Sequence, residues 1–115
     1  MSVWVTELRR GAVELCVLAI LREHESYGYE ILERLNAEAQ LPMTESTVYP
    51  ILSRLVRDGL LAERRVPSPQ GPPRRYLRLT ALGARRLANM IDHWNALDNS
   101  VSGLIRKEIR DDCNR

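Results

Sequence analysis

No apolar run in this 115-residue chain approaches the roughly 20 residues that cross a bilayer. The longest candidate, "AVELCVLAIL", is interrupted by Glu14 and stopped by Arg22. Glu7 and Arg9 break up the N-terminus, so no secretory leader is expected and the chain reads as cytoplasmic, with no membrane partner. Cysteine is scarce: Cys16 lies in an apolar run and reads as a buried thiol, and Cys113 reads as a free thiol in a polar tail. A structural zinc site needs about four grouped ligands. The two histidines stand alone, His24 as a loop residue and His93 on a helix surface. No nucleophile–base pair, carboxylate pair or glycine-rich phosphate loop stands out. No catalytic residue, metal or cofactor is therefore expected, and an enzyme is the weakest reading.

What the chain does have is an uneven charge. With 44% hydrophobic and 28% charged residues it suits one folded domain with a modest core. The net charge is only +2. Residues 1–45 carry four basic and eight acidic side chains, and residues 87–115 four basic and five acidic. Between them, residues 46–86 carry nine arginines against Asp58 and Glu63, a net of +7 with no lysine. Arginine forks onto phosphates and base edges better than lysine does. A contiguous basic block in a nearly neutral protein points to a polyanionic partner.

The stretch "TESTVYPILSRLVRDGLL" holds the start of that block and a proline inside a helical pattern. An interior proline removes a backbone donor and costs ~3 kcal/mol. At 100° per residue Val48, Ile51, Leu52 and Leu55 share one side. Ser46, Pro50, Ser53 and Arg57 lie opposite, flanked by Thr47, Tyr49 and Arg54. Pro50 thus sits on the outward face near the helix start, where it leaves the core intact. Hydroxyls, one rigid ring, a phenol and arginines suit a nucleic-acid groove better than a plain solvated face. Thr44 is the expected N-cap and Gly59 the expected C-terminal stop.

Around this segment the periodicity predicts a helix from about Val5 to Arg22, with Leu8, Ala12, Leu15, Cys16 and Ala19 on one stripe. Val13, Val17, Ile20 and Leu21 fill much of the remaining circumference. "HESYGYE" reads as a turn, with Ser26 able to cap a second helix built on Ile31, Leu32 and Leu35. Pro42 ends that helix. "LLAERRV" and "RRYLRLT" alternate like half-buried strands around "PSPQGPP", a hairpin with arginine pairs Arg64, Arg65 and Arg74, Arg75 beside its tip. Thr80 caps a last helix whose Leu87, Met90, Trp94, Leu97, Val101 and Leu104 step by three and four, with Ile91 beside them. That seam, on a helix roughly 45 Å long, calls for a second subunit.

Three helices followed by a basic hairpin describe a winged helix-turn-helix, mainly α with a small β-hairpin (α+β). The expected division is residues 1–79 as the DNA-binding unit, with the wing at about 61–79, and residues 80–115 as dimerisation helix and tail. "LRRGAVELCVLAILREHESYGYEILERL", "TESTVYPILSRLVRDGLL" and "RRYLRLTALG" resemble the three signature segments of PadR-type transcriptional regulators. The resemblance implies a dimeric DNA-binding regulator, usually a repressor, whose C-terminal helix pairs against the partner's first helix. The single long C-terminal helix is similar to the smaller subgroup. "HWNALD" is similar to a segment that, in some members of it, holds flat aromatic compounds between subunits. The resemblance thereby implies a ligand role for Trp94, with Leu15, Ala19 and Asp98 lining the same space. The expected partners are a palindromic DNA duplex, a second copy of the chain and a flat aromatic effector. Ser46, Thr47, Tyr49, Pro50, Ser53 and Arg54 would face the groove, and the four wing arginines the phosphates. The competing reading is a winged-helix interaction module without specific DNA binding.

Overall fold

The computed structural model describes residues 3–38 and 41–113. In chain order the elements are α1 (Val3–Glu23), β1 (Ser26–Tyr27), α2 (Gly28–Ala37), α3 (Glu45–Arg57), β2 (Leu61–Val66), β3 (Arg74–Leu79) and α4 (Ala81–Cys113). The core is aliphatic. Val13, Val17, Leu18 and Leu21 of α1 meet Ile31, Leu32 and Leu35 of α2 and Val48, Leu52 and Leu55 of α3. Leu60, Leu61, Leu77 and Leu87 close it. Each such side chain contributes about 1.5–3 kcal/mol on burial. Four helices and a hairpin thus share one interior.

The buried stripe of α1 differs from the one expected. Val13, Val17, Leu18 and Leu21 face the core, Leu15, Cys16 and Ala19 are half-buried, and Leu8 is 70% exposed. Burial, and to a lesser extent the charge of Glu38, raises the Cys16 thiol pKa. Trp4 and Leu8 leave a second apolar face on α1 open to solvent. The side chain of Cys113 lies outside the described residues. His24 sits in a bend and His93 on the exposed surface of α4, as expected.

The "HESYGYE" segment is more than a turn. Ser26 and Tyr27 form β1, which pairs with Leu77 and Tyr76 of β3, so the sheet has the order β1-β3-β2. Ser26 is buried and does not cap α2; the N-cap is Tyr27, whose amide donates to Glu30 Oε1 at 3.1 Å. A glutamate reaching back to the N-cap amide also meets the positive end of the helix.

The end of α3 follows from Gly59. Its φ of +80° is open to glycine at little cost. The Gly59 amide then reaches the Val56 carbonyl and the Leu60 amide the Leu55 carbonyl, a Schellman stop with Leu55 and Leu60 both buried beside it. The next helix is tied to the same point. Thr80 Oγ1 donates to the Gly59 carbonyl at 2.7 Å and accepts from the Gly83 amide at 3.0 Å. The Thr80 amide donates to the Leu60 carbonyl. One threonine therefore caps α4 and fixes it against the end of α3.

α4 contains 33 residues, about 50 Å at 1.5 Å per residue. The molecule extends 67 × 32 × 20 Å with a radius of gyration of 17.5 Å, well above the ~13 Å of a compact chain near this size. The excess is the overhang of α4. Leu87 belongs to the protomer's own core and is 3% exposed, so it is not an open seam position. Met90 and Ile91 pack against the same core. The open part of the seam begins at Trp94 and continues through Leu97, Val101 and Leu104.

Candidate nucleic-acid interface

The outward face of α3 holds Ser46, Tyr49, Pro50 and Ser53, all exposed, with Thr47 half-buried. At its start Thr44 occupies the N-cap position, and its carbonyl accepts the Thr47 and Val48 amides. Its hydroxyl does not cap the helix. It lies 3.0 Å from Ser46 Oγ and 3.2 Å from Thr47 Oγ1. Three hydroxyls are thus linked at the positive end of the helix dipole. Tyr49 lies over Gly28, where an added Cβ would sit 2.8 Å from Tyr49 Cε1. Burial, then Glu45 and Tyr29, raises the Tyr49 phenol pKa, so it remains a neutral hydrogen-bonding group.

Arg54 departs from expectation. It turns toward α1, where Nη2 donates to Glu14 Oε1 at 2.9 Å, and Nη1 lies 3.9 Å from Asp58 Oδ2. Arg57, 73% exposed, is the outward arginine of α3, with Asp58 at 3.7 Å.

The hairpin register separates the wing arginines into two kinds. Arg65 stands directly opposite Arg75, while Arg64 is opposite Tyr76 and Arg74 opposite Val66. Side chains alternate along a strand. Arg65 and Arg75 therefore share the face of Leu61 and Leu77, and Arg64, Tyr76 and Arg74 share the other. On that second face Arg64 is engaged: both of its ends meet the Glu25 carboxylate, with Nε to Oε2 at 2.7 Å. This bidentate bond holds the Glu25 carboxyl below the usual carboxylate range. Arg64 also stands 5.5 Å from the Tyr76 ring centre and Arg74 4.7 Å from that of Tyr27. The two rings meet edge to face at 5.4 Å. Arg64 is thus a scaffold for the wing rather than an open cation. Among the described residues Arg65 and Arg75 have no carboxylate within ion-pair distance.

A cleft of about 320 Å³ separates α3 from the wing. Tyr49 and Ser53 form one wall, Arg74 and Arg75 the other, with Tyr27 and Tyr29 between them. The outward face of α3 and the Arg74–Arg75 end of β3 therefore open onto one cleft. Sequence reasoning missed Glu25, Tyr27 and Tyr29. The tyrosines flanking Gly28 in "YGY" were the available signal.

The positions expected to line a ligand space lie elsewhere. Leu15 and Ala19 are half-buried on α1 and Trp94 is 48% exposed on α4. Asp98 is exposed and accepts a hydrogen bond from Ser102 Oγ at 3.1 Å. Neither the α3–wing cleft nor the hollow beside His24, Ser26 and Arg34 is lined by Trp94. Among the described residues no three potential metal ligands come together, and no helix is long and apolar enough to cross a membrane.

The model of the Transcriptional regulator PadR-like family matches residues 17–89, from the middle of α1 through the wing into α4. The chain belongs to this family. It is similar to the PadR family transcriptional regulator of Eggerthella lenta DSM 2243, with 37% identity, a TM-score of 0.80, and coverage of 89% of this chain and 88% of that one. A PadR-like transcription factor of Bacteroides fragilis is 35% identical with a TM-score of 0.74, covering 86% of this chain and 95% of that one. Bacillus subtilis PadR, whose structure was solved in complex with operator DNA, shares the fold at 24% identity and a TM-score of 0.61, over 68% of this chain and 45% of its own. Membership in the PadR-like family makes the chain a transcriptional regulator and not an enzyme. Its architecture is the winged-helix α+β fold of those structures.

Proposed function

We propose that this PadR-like regulator is a homodimeric repressor that reads a palindromic duplex and releases it on binding a flat aromatic effector. In this reading residues 1–79 grip DNA and residues 80–115 pair the subunits. The observation that carries it is the shared cleft, in which Tyr49 and Ser53 of α3 face Arg74 and Arg75 of the wing. A helix with an exposed hydroxyl-rich face suits a major groove, and an arginine-bearing wing beside it suits the adjoining backbone. Ser46, Thr47, Tyr49, Pro50 and Ser53 serve as the reading face. Arg65 and Arg75, with Arg74, hold phosphates.

Dimerisation is supported by Leu97, Val101 and Leu104, which are 58%, 45% and 70% exposed along an overhanging helix. Trp4 and Leu8 add a second uncovered apolar face on α1. Two-fold pairing would place the reading helices about one helical turn apart, roughly 34 Å, and match an inverted repeat. Trp94, at the inner end of the open seam, is the platform for an aromatic effector, with Leu15, Ala19 and Asp98 around it.

The test is a gel shift across salt with the inverted repeat upstream of the protein's own gene. Specific retention that weakens steeply with salt is expected. Affinity confined to the non-specific range of ~10⁻⁴–10⁻⁶ M would instead favour a protein-interaction module. Titrating aromatic dyes into a Trp4→Phe protein isolates Trp94 fluorescence. Quenching together with loss of the shifted band is expected, and an unchanged signal would remove the effector site.

A further inference from the structure

Glu14 interrupts the apolar run of α1, yet its side chain is only 20% exposed. A largely buried carboxylate has to be paired. Here its two oxygens go to two different helices: Oε1 accepts from Arg54 Nη2 of α3 at 2.9 Å, and Oε2 lies 3.6 Å from Arg86 Nη1 of α4. Asp58, at 3.9 Å from Arg54 Nη1, holds the other edge of the same guanidinium. A single carboxylate thus joins α1, α3 and α4.

We infer that Glu14 is a positioning residue for DNA binding, fixing the direction of α3 relative to the α1–α4 pair. This rests on the DNA-binding reading above. Both arginines are 43–49% exposed, so water screens their charge and the pair adds little to global stability. What the carboxylate supplies is orientation. Its hydrogen bond to Arg54 enters the C-terminal half of α3, opposite the end where Thr44 anchors the start. The helices on its other side, α1 and α4, carry the exposed apolar residues Trp4, Leu8, Leu97, Val101 and Leu104. A rearrangement of those faces against a second subunit reaches α3 through Glu14.

The opposite role on the same contacts would have Glu14 hold Arg54 back from phosphate. The two roles differ in sign. Releasing a restrained cation would raise affinity for any duplex and steepen the salt slope by about one. Loss of orientation lowers affinity for the preferred sequence alone.

The test compares the parent, Glu14→Gln and Arg86→Gln proteins on two duplexes, one selected by the parent from a randomised library and one unrelated. Hydrogen exchange of the α3 amides is followed in the free proteins. Glu14→Gln should lose roughly three- to tenfold on the selected duplex, keep its affinity for the unrelated one and keep its salt slope. Its α3 amides should exchange faster than those of α2. Arg86→Gln, altered at an exposed position that leaves the fold intact, should shift both readouts in the same direction by less. Tighter binding of both duplexes by Glu14→Gln would overturn the inference, as would an Arg86→Gln protein indistinguishable from the parent. If the parent showed no preference between duplexes, the DNA-binding reading would fall. The exchange comparison would then decide by itself whether Glu14 holds α3.

Discussion

Gly83 lies against the Leu60 carbonyl so closely that a Cβ built on it would stand 2.1 Å from the oxygen. The obstacle is backbone, held by the Thr80 amide, and cannot swing aside. Gly83→Ala should therefore force α4 away from the end of α3. Overpacking of this kind costs about 1–3 kcal/mol. A thermal melt should show the midpoint falling by several degrees, and an unchanged midpoint would mean that the contact relaxes freely.

Arg65 and Arg75 oppose each other across the hairpin without a carboxylate partner among the described residues. Like charges placed so are destabilising until an anion joins them. Replacing both by alanine should weaken binding to every duplex sequence and reduce the salt slope by about one to two. Folded-state stability should hold or rise slightly. The check is a salt series of binding isotherms beside a urea melt.

Glu25 secures the wing through Arg64, and its effect has a defined pH direction. The folded carboxyl titrates below the usual glutamate range because of Arg64. The pair's contribution is therefore complete above the ordinary glutamate pKa and fades as pH falls through the lower folded value. Protection of the β2 and β3 amides, taken relative to the intrinsic exchange rate at each pH, should fall over that acid window. A Glu25→Gln protein should show the lower protection already at neutral pH and no further loss of it in the window.

Gly28 leaves room for the Tyr49 ring. A methyl at Gly28 meets the edge of a side chain that can rotate, so Gly28→Ala should fold. It should displace Tyr49 from the outward face of α3 and, on the proposed DNA-reading role of that face, change the preferred sequence more than the general affinity for DNA. Selection from a randomised duplex library, run on parent and variant together, would reveal this as an altered base preference.

The open and closed parts of α4 make separable predictions. If the proposed pairing through α4 holds, Val101→Glu with Leu97→Glu should yield a folded monomer by analytical ultracentrifugation where the parent is a dimer, with helicity largely kept. Leu87→Glu should instead unfold the protein, because that side chain is in the protomer's own core. If the double variant stayed dimeric, the subunits would have to meet elsewhere.

Much of this was legible in the sequence because it is periodic. Val48, Leu52 and Leu55 announce the buried side of α3, and the alternation around Tyr76 and Leu77 announces the wing. β1 was not legible, since two residues carry no period and Ser26 looks like a cap. The fates of Arg54 and Arg64 were hidden for another reason. Their carboxylates lie 40 and 39 positions away in sequence, and only the fold brings them together. Leu87 shows the limit of a heptad pattern, which fixes a face of the helix but not whether the covering surface belongs to the same chain.

Pro50 has one more consequence for the backbone of α3. With no amide hydrogen at position 50, the Ser46 carbonyl lacks the donor that an unbroken helix would supply. Both residues are exposed on the outward face. The Ser46 main-chain oxygen is thereby left facing the Pro50 ring in place of an amide donor. Side-chain replacement at Ser46 would leave that acceptor in place, whereas replacing Pro50 by an ordinary residue would restore the amide and engage it.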